Sequence, residues 1–384
     1  MKRTVLVGLG VASLIAGALA APAGAVAPSA RPAGTPAHLD RITVIAHGLA
    51  NPRGLVLAPR GVVLVAEAGR GGVGPCVAAP EGGGQTCIGL TSSLTAIAFG
   101  KQRRIITGLP SLADQGTGEN AVGLDNTTLT PQGLVGIIGL GGAPSLRATF
   151  GKRGALLASV VGLRPGKPAW RIADLAAYEE AHNPDAGDPG SAKDTDPYDI
   201  QQTSHGLVAA DAGGNDLLNI GSHGKVSTAA VLHARMVLAP PSLTLPPGTK
   251  IPMQTVPTSV VQGPDGALYA GELTGFPFPV GGAQVDKVVP GHEATAFATG
   301  FTNVVDVKFD RHGNMYVLEL TKTGLLSDGT VGALIKVDRY GHRSEIAAGK
   351  LILPGGMALA SDGSIYVSVN STSPKDGQVV RIQP

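Results

Sequence analysis

The sequence predicts an all-β fold: a six-bladed β-propeller closed by an N-terminal strand that completes the last blade, with one short helix in an insertion. Short apolar strands, tight glycine turns and β-branched strands recur in the same order along the chain. The turn glycines of the last three segments, Gly266, Gly313 and Gly363, are 47 and 50 residues apart, a period typical of four-stranded blades. A lone strand at residues 42–46 precedes the first segment, and the last segment ends one strand short.

Five segments share the pattern of strand, glycine turn, strand and glycine- or threonine-containing loop. They are NPRGLVLAPRGVVLVAEAGRGG, DPYDIQQTSHGLVAADAGGN, VPTSVVQGPDGALYAGELTG, NVVDVKFDRHGNMYVLELTKTG and LPGGMALASDGSIYVSVNSTS. A divergent unit with PQGLVGIIGLGG and GALLASVVGL lies between the first two and makes six. Later strands such as AQVDKVVP and GALIKVDRYG complete the blades, and PAWRIADLAAYEEAHNPD has helical spacing up to Asn183-Pro184.

The N-terminus has the pattern of a secretory signal peptide. Lys2 and Arg3 precede an uncharged apolar run, residues 4–20, which small residues and prolines follow. We therefore expect a signal peptide at 1–25, a flexible linker at 26–40 and the propeller at 41–384. The alternative is an uncleaved anchor, although the run is short for a bilayer. Cleavage predicts a secreted, extracellular protein with no membrane span.

Cysteine and charge patterns narrow the function classes. Cys76 and Cys87 are the only cysteines, and an even number in an exported chain favours a disulfide between them. The formal net charge is +2, with 30 basic residues scattered among 28 acidic ones, so no basic stripe indicates nucleic-acid binding. We expect a monomer whose partner is a small molecule, a glycan or an extracellular protein.

Aligning the segments places acidic residues in equivalent positions. The ends of the second strands carry Glu67, Asp211, Glu272 and Glu319. A second column, two residues after the start of the inner strand, contains Gly54, Asp199, Ser259, Asp306 and Gly356. Carboxylates that converge raise one another's pKa unless cations or donors intervene. They could accept hydrogen bonds from backbone N–H groups, pair with Arg53 or Lys322, or bind one divalent cation such as Ca²⁺, for which the candidate ligands are Glu67, Asp199, Asp211, Glu272, Asp306 and Glu319.

A ligand site at the channel mouth is the further prediction. Phe276 and Phe278 could form an apolar wall there or cap the fourth blade, and Arg53, Asn303 and Asn370 supply polar groups. The acidic segment NPDAGDPGSAKDTDPYD lacks the residue order of a calcium-binding EF-hand loop. We expect it to be a solvated insertion.

Several motifs resemble the ScyD/ScyE family of exported proteins, which is related to NHL and SMP-30-like six-bladed propellers. They are NPRG, EAGRGGVGPC, DLAAYEEAHNPD, ADAGGN, GELTGFPFPVGGA, FTNVVDVKF and SVNSTSP. The resemblance implies the propeller fold and export but no agreed reaction. Asp196 and Asp199 stand where the family more often has an Asn-Pro-Tyr-Gly motif.

The sequence leaves enzymatic activity open. It contains no complete set of catalytic residues for nucleophilic catalysis and no nucleophile-elbow motif. This favours a binding or scaffold module that uses the channel mouth. The alternatives are a divalent-metal hydrolase of the lactonase or esterase type, in which a metal polarises a carbonyl group, and an enzyme like strictosidine synthase with an acidic channel residue.

Overall fold

The chain closes into a ring by pairing its first described strand with its last. A computed structural model describes residues 40–79, 84–289 and 291–383, so the predicted signal peptide and nearly all of the predicted linker lie outside the described residues. The first strand, β1 (Arg41–Leu49), is antiparallel to the last strand, Gly377–Gln383, with Ile42 opposite Ile382. The predicted closure is therefore confirmed, and it removes a free sheet edge.

Blades 1 to 3 follow one another along the chain. The strands of blade 1 are β2 (Pro52–Ala58), β3 (Val62–Glu67), β4 (Cys76–Ala78), β5 (Gln85–Ala98) and β6 (Lys101–Asp114). Those of blade 2 are β7 (Leu124–Thr130), β8 (Gly133–Ile138), β9 (Ser159–Leu163) and β10 (Trp170–Asp174), and those of blade 3 are β11 (Pro197–Thr203), β12 (Gly206–Asp211), β13 (Asp216–Ile220) and β14 (Val226–Val231).

A two-stranded hairpin that belongs to no blade follows blade 3. It consists of β15 (Arg235–Leu238) and β16 (Lys250–Met253). Blade 4 contains β17 (Pro257–Gln262), β18 (Leu268–Glu272), β19 (Ala283–Val288) and β20 (Thr295–Phe301), and blade 5 contains β21 (Val304–Phe309), β22 (Met315–Glu319), β23 (Ala333–Val337) and β24 (Arg343–Ile346). Blade 6 combines β25 (Gly356–Leu359), β26 (Ile365–Val369) and β27 (Gly377–Gln383) with β1.

The described residues contain two α-helices. The predicted one is α2 (Leu175–His182), which begins at Asp174, whose side chain accepts a hydrogen bond from the Ala177 N–H, and ends at Asn183 in the left-handed conformation. A shorter helix, α1 (Leu146–Thr149), was not predicted. Four 3₁₀ turns complete the helical content: Pro59–Gly61, Gly151–Gly154, Ser222–Gly224 and Pro241–Leu243. None of the described helices is long and apolar enough to cross a membrane.

Apolar clusters hold neighbouring blades together. Leu64 and Leu94 of blade 1 pack in one cluster with Leu124 and Val161 of blade 2, and comparable clusters occupy the other five interfaces. Burying one such side chain contributes about 1.5–3 kcal/mol. The inner strands therefore pack into a closed ring around a channel. We call the face where these strands begin the upper face and the face of their tight turns the lower face.

The disulfide between Cys76 and Cys87 is present, as predicted. It joins β4 to β5, where the two cysteines are opposite each other in the ladder. The chain between them contains the glycine-rich segment, so the bridge fixes an arm of blade 1 that extends past the pairing with β3.

Candidate functional site

The second strands of four blades end in an acidic residue, as the alignment predicted. Each acid is paired with the first residue of the adjacent inner strand. The pairs are Glu67–Pro52, Asp211–Pro197, Glu272–Pro257 and Glu319–Val304. All four acidic residues are buried. Since the inner strands begin at the upper face, each carboxylate lies near that face, within its own blade.

Glu67 braces blade 1. Its carboxylate accepts hydrogen bonds from two nitrogens of Arg104, at 3.0 and 2.7 Å, and from the hydroxyls of Ser93 and Thr95, at 3.1 and 2.6 Å. The backbone N–H of Ala50 donates at 2.8 Å. These donors lie on β5, β6 and the segment before β2, so the side chain ties four parts of the chain together.

Glu272 binds the inserted hairpin. Two terminal nitrogens of Arg235 donate to its two oxygens at 2.5 and 2.6 Å, and Arg235 also donates to the carbonyl of Gly282. Burial raises the pKa of Glu272 well above its ordinary value, while Arg235 acts to lower it. Glu272, at the end of an apolar strand, therefore forms an ion pair with an element outside its blade.

Asp211 organises loops of blade 3. It accepts hydrogen bonds from the hydroxyl of Thr195 at 2.5 Å and from the backbone N–H groups of residues 196, 213 and 214 at 2.7–3.1 Å. Burial nevertheless raises its pKa, against the lowering effect of these donors. A carboxylate that accepts this many hydrogen bonds holds the surrounding loops in place.

Glu319 has the sparsest surroundings of the four. It accepts a hydrogen bond from the N–H of Thr302 at 2.8 Å. Burial raises the pKa of Glu319 to about 7, and the more distant Lys322 and Arg343 oppose the shift. The predicted partner Lys322 instead donates to Glu345.

The structure does not gather the predicted metal ligands. Glu67, Asp211, Glu272 and Glu319 are each satisfied within or beside a different blade, whereas Asp199 and Asp306 belong to the inner ring. Across the described ranges, no group of three acidic, histidine or cysteine side chains has the arrangement of a metal site. Of the three alternatives, hydrogen bonding and ion pairing describe the four acids at the strand ends.

The second predicted column lies where the inner strands approach one another closely. A Cβ added to Gly54 would collide with the side chain of Asn126, and one added to Gly356 would lie 2.7 Å from the Cα of Gly54. Asn126 in turn donates a hydrogen bond to Asp199. Glycine at two positions therefore lets six inner strands approach closely. Asn126, on β7, was missed because the sequence alignment included no inner strand for the divergent blade.

Asp199 and Asp306 occupy this column with their acceptors engaged. Asp199 accepts from the N–H groups of Ile200 and Val260, at 2.7 and 2.9 Å. Asp306 accepts from the N–H of Met357 at 2.8 Å and from Lys308 Nζ at 2.6 Å. Each aspartate therefore links its own strand to the inner strand of the next blade.

Lys308 supplies the positive charge of the channel. Burial acts to lower its pKa, but Asp306 and Asp199 outweigh this and raise the pKa, so the ammonium group stays charged. Burial also raises the pKa of Asp306, with Lys308 opposing. The side chain of Lys308 is 20% exposed, against 3% for Asp306, and so its free donors face the channel.

The channel is closed on the upper side of the ring. Arg53 is 4% exposed and donates to the carbonyls of Ala121 and Ser371, at 2.7 and 2.5 Å. Its Nε lies 3.5 Å from Asp125. Tyr198, also buried, is near both charges, although burial is the main cause of its raised pKa. Arg53, predicted as a ligand residue, is thus part of the closed end.

A cavity opens on the lower side of the ring. Its volume is about 350 Å³, within the range of small-molecule sites. The lining comes from four inner strands and consists of Leu55, Val56, Leu57, Asn126, Thr127, Thr128, Leu129, Asp199, Ile200, Gln201, Gln202 and Lys308. Within the described ranges, the buried hydroxyl of Thr127 has no hydrogen-bond partner. The surface that the cavity exposes is therefore mostly polar.

The other predicted ligand residues lie away from this cavity. Phe276 and Phe278 pack edge to face, with ring centroids 6.3 Å apart, in the loop after β18. Asn303 is buried, has a φ of +46° and donates to the carbonyl of Leu273. Asn370 is half-buried and donates to the carbonyl of Asp376 at 3.2 Å. The structure brings none of these four to the lower mouth.

The acidic segment after α2 is buried at its two ends, whereas residues 186–193 between them are exposed or half-buried, so the expected solvated insertion describes only its middle part. Asp185, Asp194 and Asp196 are 1%, 7% and 5% exposed. Glu179 of α2 and Asp216 of β13 are buried beside them. The number of acidic residues in this segment was the one feature of the sequence that pointed to a cluster. Nothing in the residue pattern indicated that the segment folds back on blade 3.

Burial and mutual repulsion perturb the carboxyl groups of this cluster. They raise the pKa of Glu179 to about 8, with Asp211, Asp185 and Asp194 as the repelling neighbours. Asp194 is raised by the same causes to a pKa of about 8, and Asp185 to about 6. The pKa of Asp216 is also well above its ordinary value. Such a cluster is an electrostatically costly arrangement unless protons or a cation compensate it.

Comparisons with solved structures support the architecture. An oxidoreductase (glucose dehydrogenase) from Thermus thermophilus is 17% identical, with a TM-score of 0.54 over 90% of this chain and 100% of that one. The PQQ-bound aldose sugar dehydrogenase of Streptomyces coelicolor is 12% identical, with a TM-score of 0.51 over 91% and 100%. A gluconolactonase from Xanthomonas campestris is 10% identical, with a TM-score of 0.51 over 89% of each chain.

These similarities show the fold alone, a six-bladed β-propeller. No protein-family model matches the sequence. No curated protein matches it either.

Proposed function

We propose that this chain is an exported propeller of the ScyD/ScyE kind that binds a small, hydroxyl-rich molecule in the cavity on the lower side of the channel. The observation that carries the proposal is the asymmetry of the channel. Its upper end is filled by Arg53, Asp125 and Tyr198, whereas its lower end widens to about 350 Å³. A ligand therefore has one entrance and a polar floor.

The chemistry of the floor favours a polyhydroxylated ligand. Lys308 offers ammonium donors, Thr127 a hydroxyl with no partner in the described part of the chain, and Gln201 and Gln202 contribute amide groups. Hydroxyl groups can both donate and accept, so they match this mixture. Aldoses and sugar lactones, which the names of structural neighbours mention, are the ligand class to test first.

Binding is favoured over catalysis because the acids of the ring are already engaged. Asp199 accepts two backbone N–H bonds and one from Asn126, and Asp306 is paired with Lys308. A general base needs a free oxygen within reach of the proton it removes. Lys308 also supplies a positive charge at the place where a divalent ion would be required, so these residues do not fit a metal-dependent hydrolase.

A ligand panel tests the proposal. Isothermal titration calorimetry with aldoses, polyols and aldonolactones should detect binding to the wild-type protein. Lys308→Met should weaken it by about 10–100-fold, the usual contribution of a hydrogen bond to a charged group. Thr127→Val should weaken it by a smaller factor. Lys350→Met, which changes an exposed turn lysine in the same way, is the matched control.

Two results would overturn the proposal. If no member of the panel binds, the cavity is not a site for this ligand class. If binding persists unchanged in Lys308→Met, the ligand occupies another surface. Acid release from an aldonolactone, lost in Lys308→Met but not in Lys350→Met, would replace simple binding with hydrolysis at the same site.

A further inference from the structure

One carboxylate oxygen of Glu179 and one of Asp216 lie near the same position, the place of the missing side chain of Gly214. A Cβ built on Gly214 would lie 3.5 Å from Oε2 of Glu179 and 3.6 Å from Oδ1 of Asp216. The two oxygens thus flank the space that the absent side chain of Gly214 leaves. Asp216 is 1% exposed, and its Oδ1 accepts no hydrogen bond from any described residue. An unpartnered buried carboxylate oxygen carries a full desolvation cost.

Three further carboxylates surround the pair, and the nearest is Asp211, whose Cγ lies 3.5 Å from the same Cβ position. Asp185 accepts a hydrogen bond from Asn215 at 2.9 Å. Asp194 is buried as well, and the negative charges of Asp185 and Asp194 both raise the pKa of Glu179. Lys193 is the basic residue whose field reaches Glu179, but its side chain is 42% exposed and is bonded to Glu180. Positive charge is therefore scarce where negative charge is dense.

A small void lies beside Asp194, and neither Glu179 nor Asp216 lines it. A void of about 10 Å³ is lined by Asp194, Asn215 and Gln254, among other residues. This volume is close to that of one probe sphere, the minimum for a single water or ion. In the described ranges, Oε1 of Gln254 is buried and without a hydrogen-bond partner. Oδ1 of Asp216 and Oε1 of Gln254 are thus two buried oxygens without a hydrogen-bond partner in the described part of blade 3 and its surroundings.

We propose that Glu179 and Asp216, with Asp185 and Asp194 beside them, form a calcium site on the upper side of blade 3. The ion joins helix α2, the acidic segment and the start of β13. The described side chains do not yet stand in finished ligand geometry, so the carboxylates turn about their side-chain torsions to close on it. This site is separate from the channel cavity and does not depend on the proposed ligand.

Calcium fits this site better than magnesium or a transition metal. Calcium takes about 6–8 oxygen ligands in flexible geometry, whereas magnesium keeps several waters and demands an octahedron. The four members of the cluster are all carboxylates, without histidine or cysteine among them, which disfavours zinc. Four carboxylates on different segments also provide the irregular spacing that calcium tolerates.

Calcium binding to the purified full chain tests the proposal directly. After chelator treatment and dialysis, titration with calcium chloride alone should show one site per chain by calorimetry. The melting temperature should rise by about 3 °C or more in millimolar calcium, and magnesium chloride should have a much smaller effect. No calcium-dependent shift and no binding heat in the wild-type protein would overturn the proposal.

Variants separate binding from a purely structural role. Asp216→Asn and Glu179→Gln each remove a ligand charge, so the calcium-induced shift should be lost while the melting temperature without calcium stays equal or rises. Gly214→Ala keeps every charge but places a methyl group between the two oxygens at ordinary contact distance. It should also abolish the shift.

Glu180→Gln is the matched control, because this neighbouring residue of α2 has a side chain that is 56% exposed. It should keep the full response to calcium. A shift that survives in Asp216→Asn and Gly214→Ala would place the ion elsewhere and overturn the assignment. Lys308→Met should retain the calcium response, which keeps failure of the channel proposal distinguishable from failure of this one.

Discussion

Both oxygens of Glu272 lie within hydrogen-bond distance of the guanidinium group of Arg235, at 2.5 and 2.6 Å. Glu272 ends the second strand of blade 4, whereas Arg235 begins a hairpin outside the blades. The carboxylate is fully buried and the arginine side chain is 29% exposed. An acid that the repeat pattern placed in a channel column therefore attaches an insertion to the propeller.

Arg235→Met should loosen the hairpin and destabilise the protein. It leaves Glu272 buried without its cation, which typically costs about 3–5 kcal/mol. Urea unfolding measures this loss, and thermolysin should cut the hairpin tip near the exposed Leu243 and Leu245 faster than in the wild type. Lys250→Met, at an exposed position of the partner strand, is the control. Equal protease resistance of both variants would contradict the attachment.

Gly356→Ala should disturb the close approach of the inner strands of blades 6 and 1. The new Cβ would lie 2.7 Å from the Cα of Gly54 and 2.9 Å from the carbonyl oxygen of Arg53. Both are backbone atoms, so the inner strands of blades 6 and 1 must separate. Overpacking of this kind costs about 1–3 kcal/mol. The urea midpoint should fall accordingly.

Gly187→Ala is the control for this substitution, because a Cβ there meets nothing within 4 Å. Its midpoint should stay close to that of the wild type. If Gly356→Ala and Gly187→Ala unfold at the same urea concentration, the close approach of the inner strands has no energetic weight.

The repeat pattern in the sequence was sufficient to predict the ring and its register. Glu67, Asp211, Glu272 and Glu319 occupy equivalent ladder positions because each blade repeats the same strand order. Closure by β1 followed from an incomplete last unit. These features depend on local periodicity, which a sequence displays directly.

The chemistry of the same positions could not be predicted in this way. Arg104, the partner of Glu67, lies on the outermost strand of blade 1, and Arg235, the partner of Glu272, lies on an inserted hairpin that has no equivalent in the other blades. Repeat alignment says which positions correspond, but not which side chain reaches them from another strand or from an insertion. The burial of Asp185 and Asp194 is also set by the way an insertion folds back, which composition does not encode.

Glu319→Gln should flatten the pH dependence of stability. Burial raises the pKa of Glu319 to about 7 in the folded protein from an ordinary value of 4.5. Between these values the folded state binds more protons than the unfolded state, so stability falls as the pH rises, and the loss is complete above about pH 7. Glutamine does not titrate and removes this contribution.

Urea midpoints at pH 5 and pH 8 measure the effect. Lys322, Arg343 and Glu345 are the charged residues that influence Glu319, and they are unchanged in both proteins. Other buried acids contribute equally to both profiles, so the difference isolates this residue. Parallel profiles for the wild type and Glu319→Gln would show that Glu319 is ionised normally in the folded state.

The closure of the ring by β1 can be tested by comparing two N-terminal truncations. A chain that starts at Asp40 keeps β1 and the hydrogen bond from the Ala347 N–H to Asp40, so it should melt like the longer chain. A chain that starts at Ala50 lacks β1, loses the buried Ala46 and Leu49 and leaves β27 as an unpaired edge. An exposed edge strand pairs with other chains, so this protein should melt at a lower temperature and form aggregates in size-exclusion chromatography. If both truncations stay monomeric with the same melting temperature, the pairing of the first and last strands contributes nothing to the stability of the propeller.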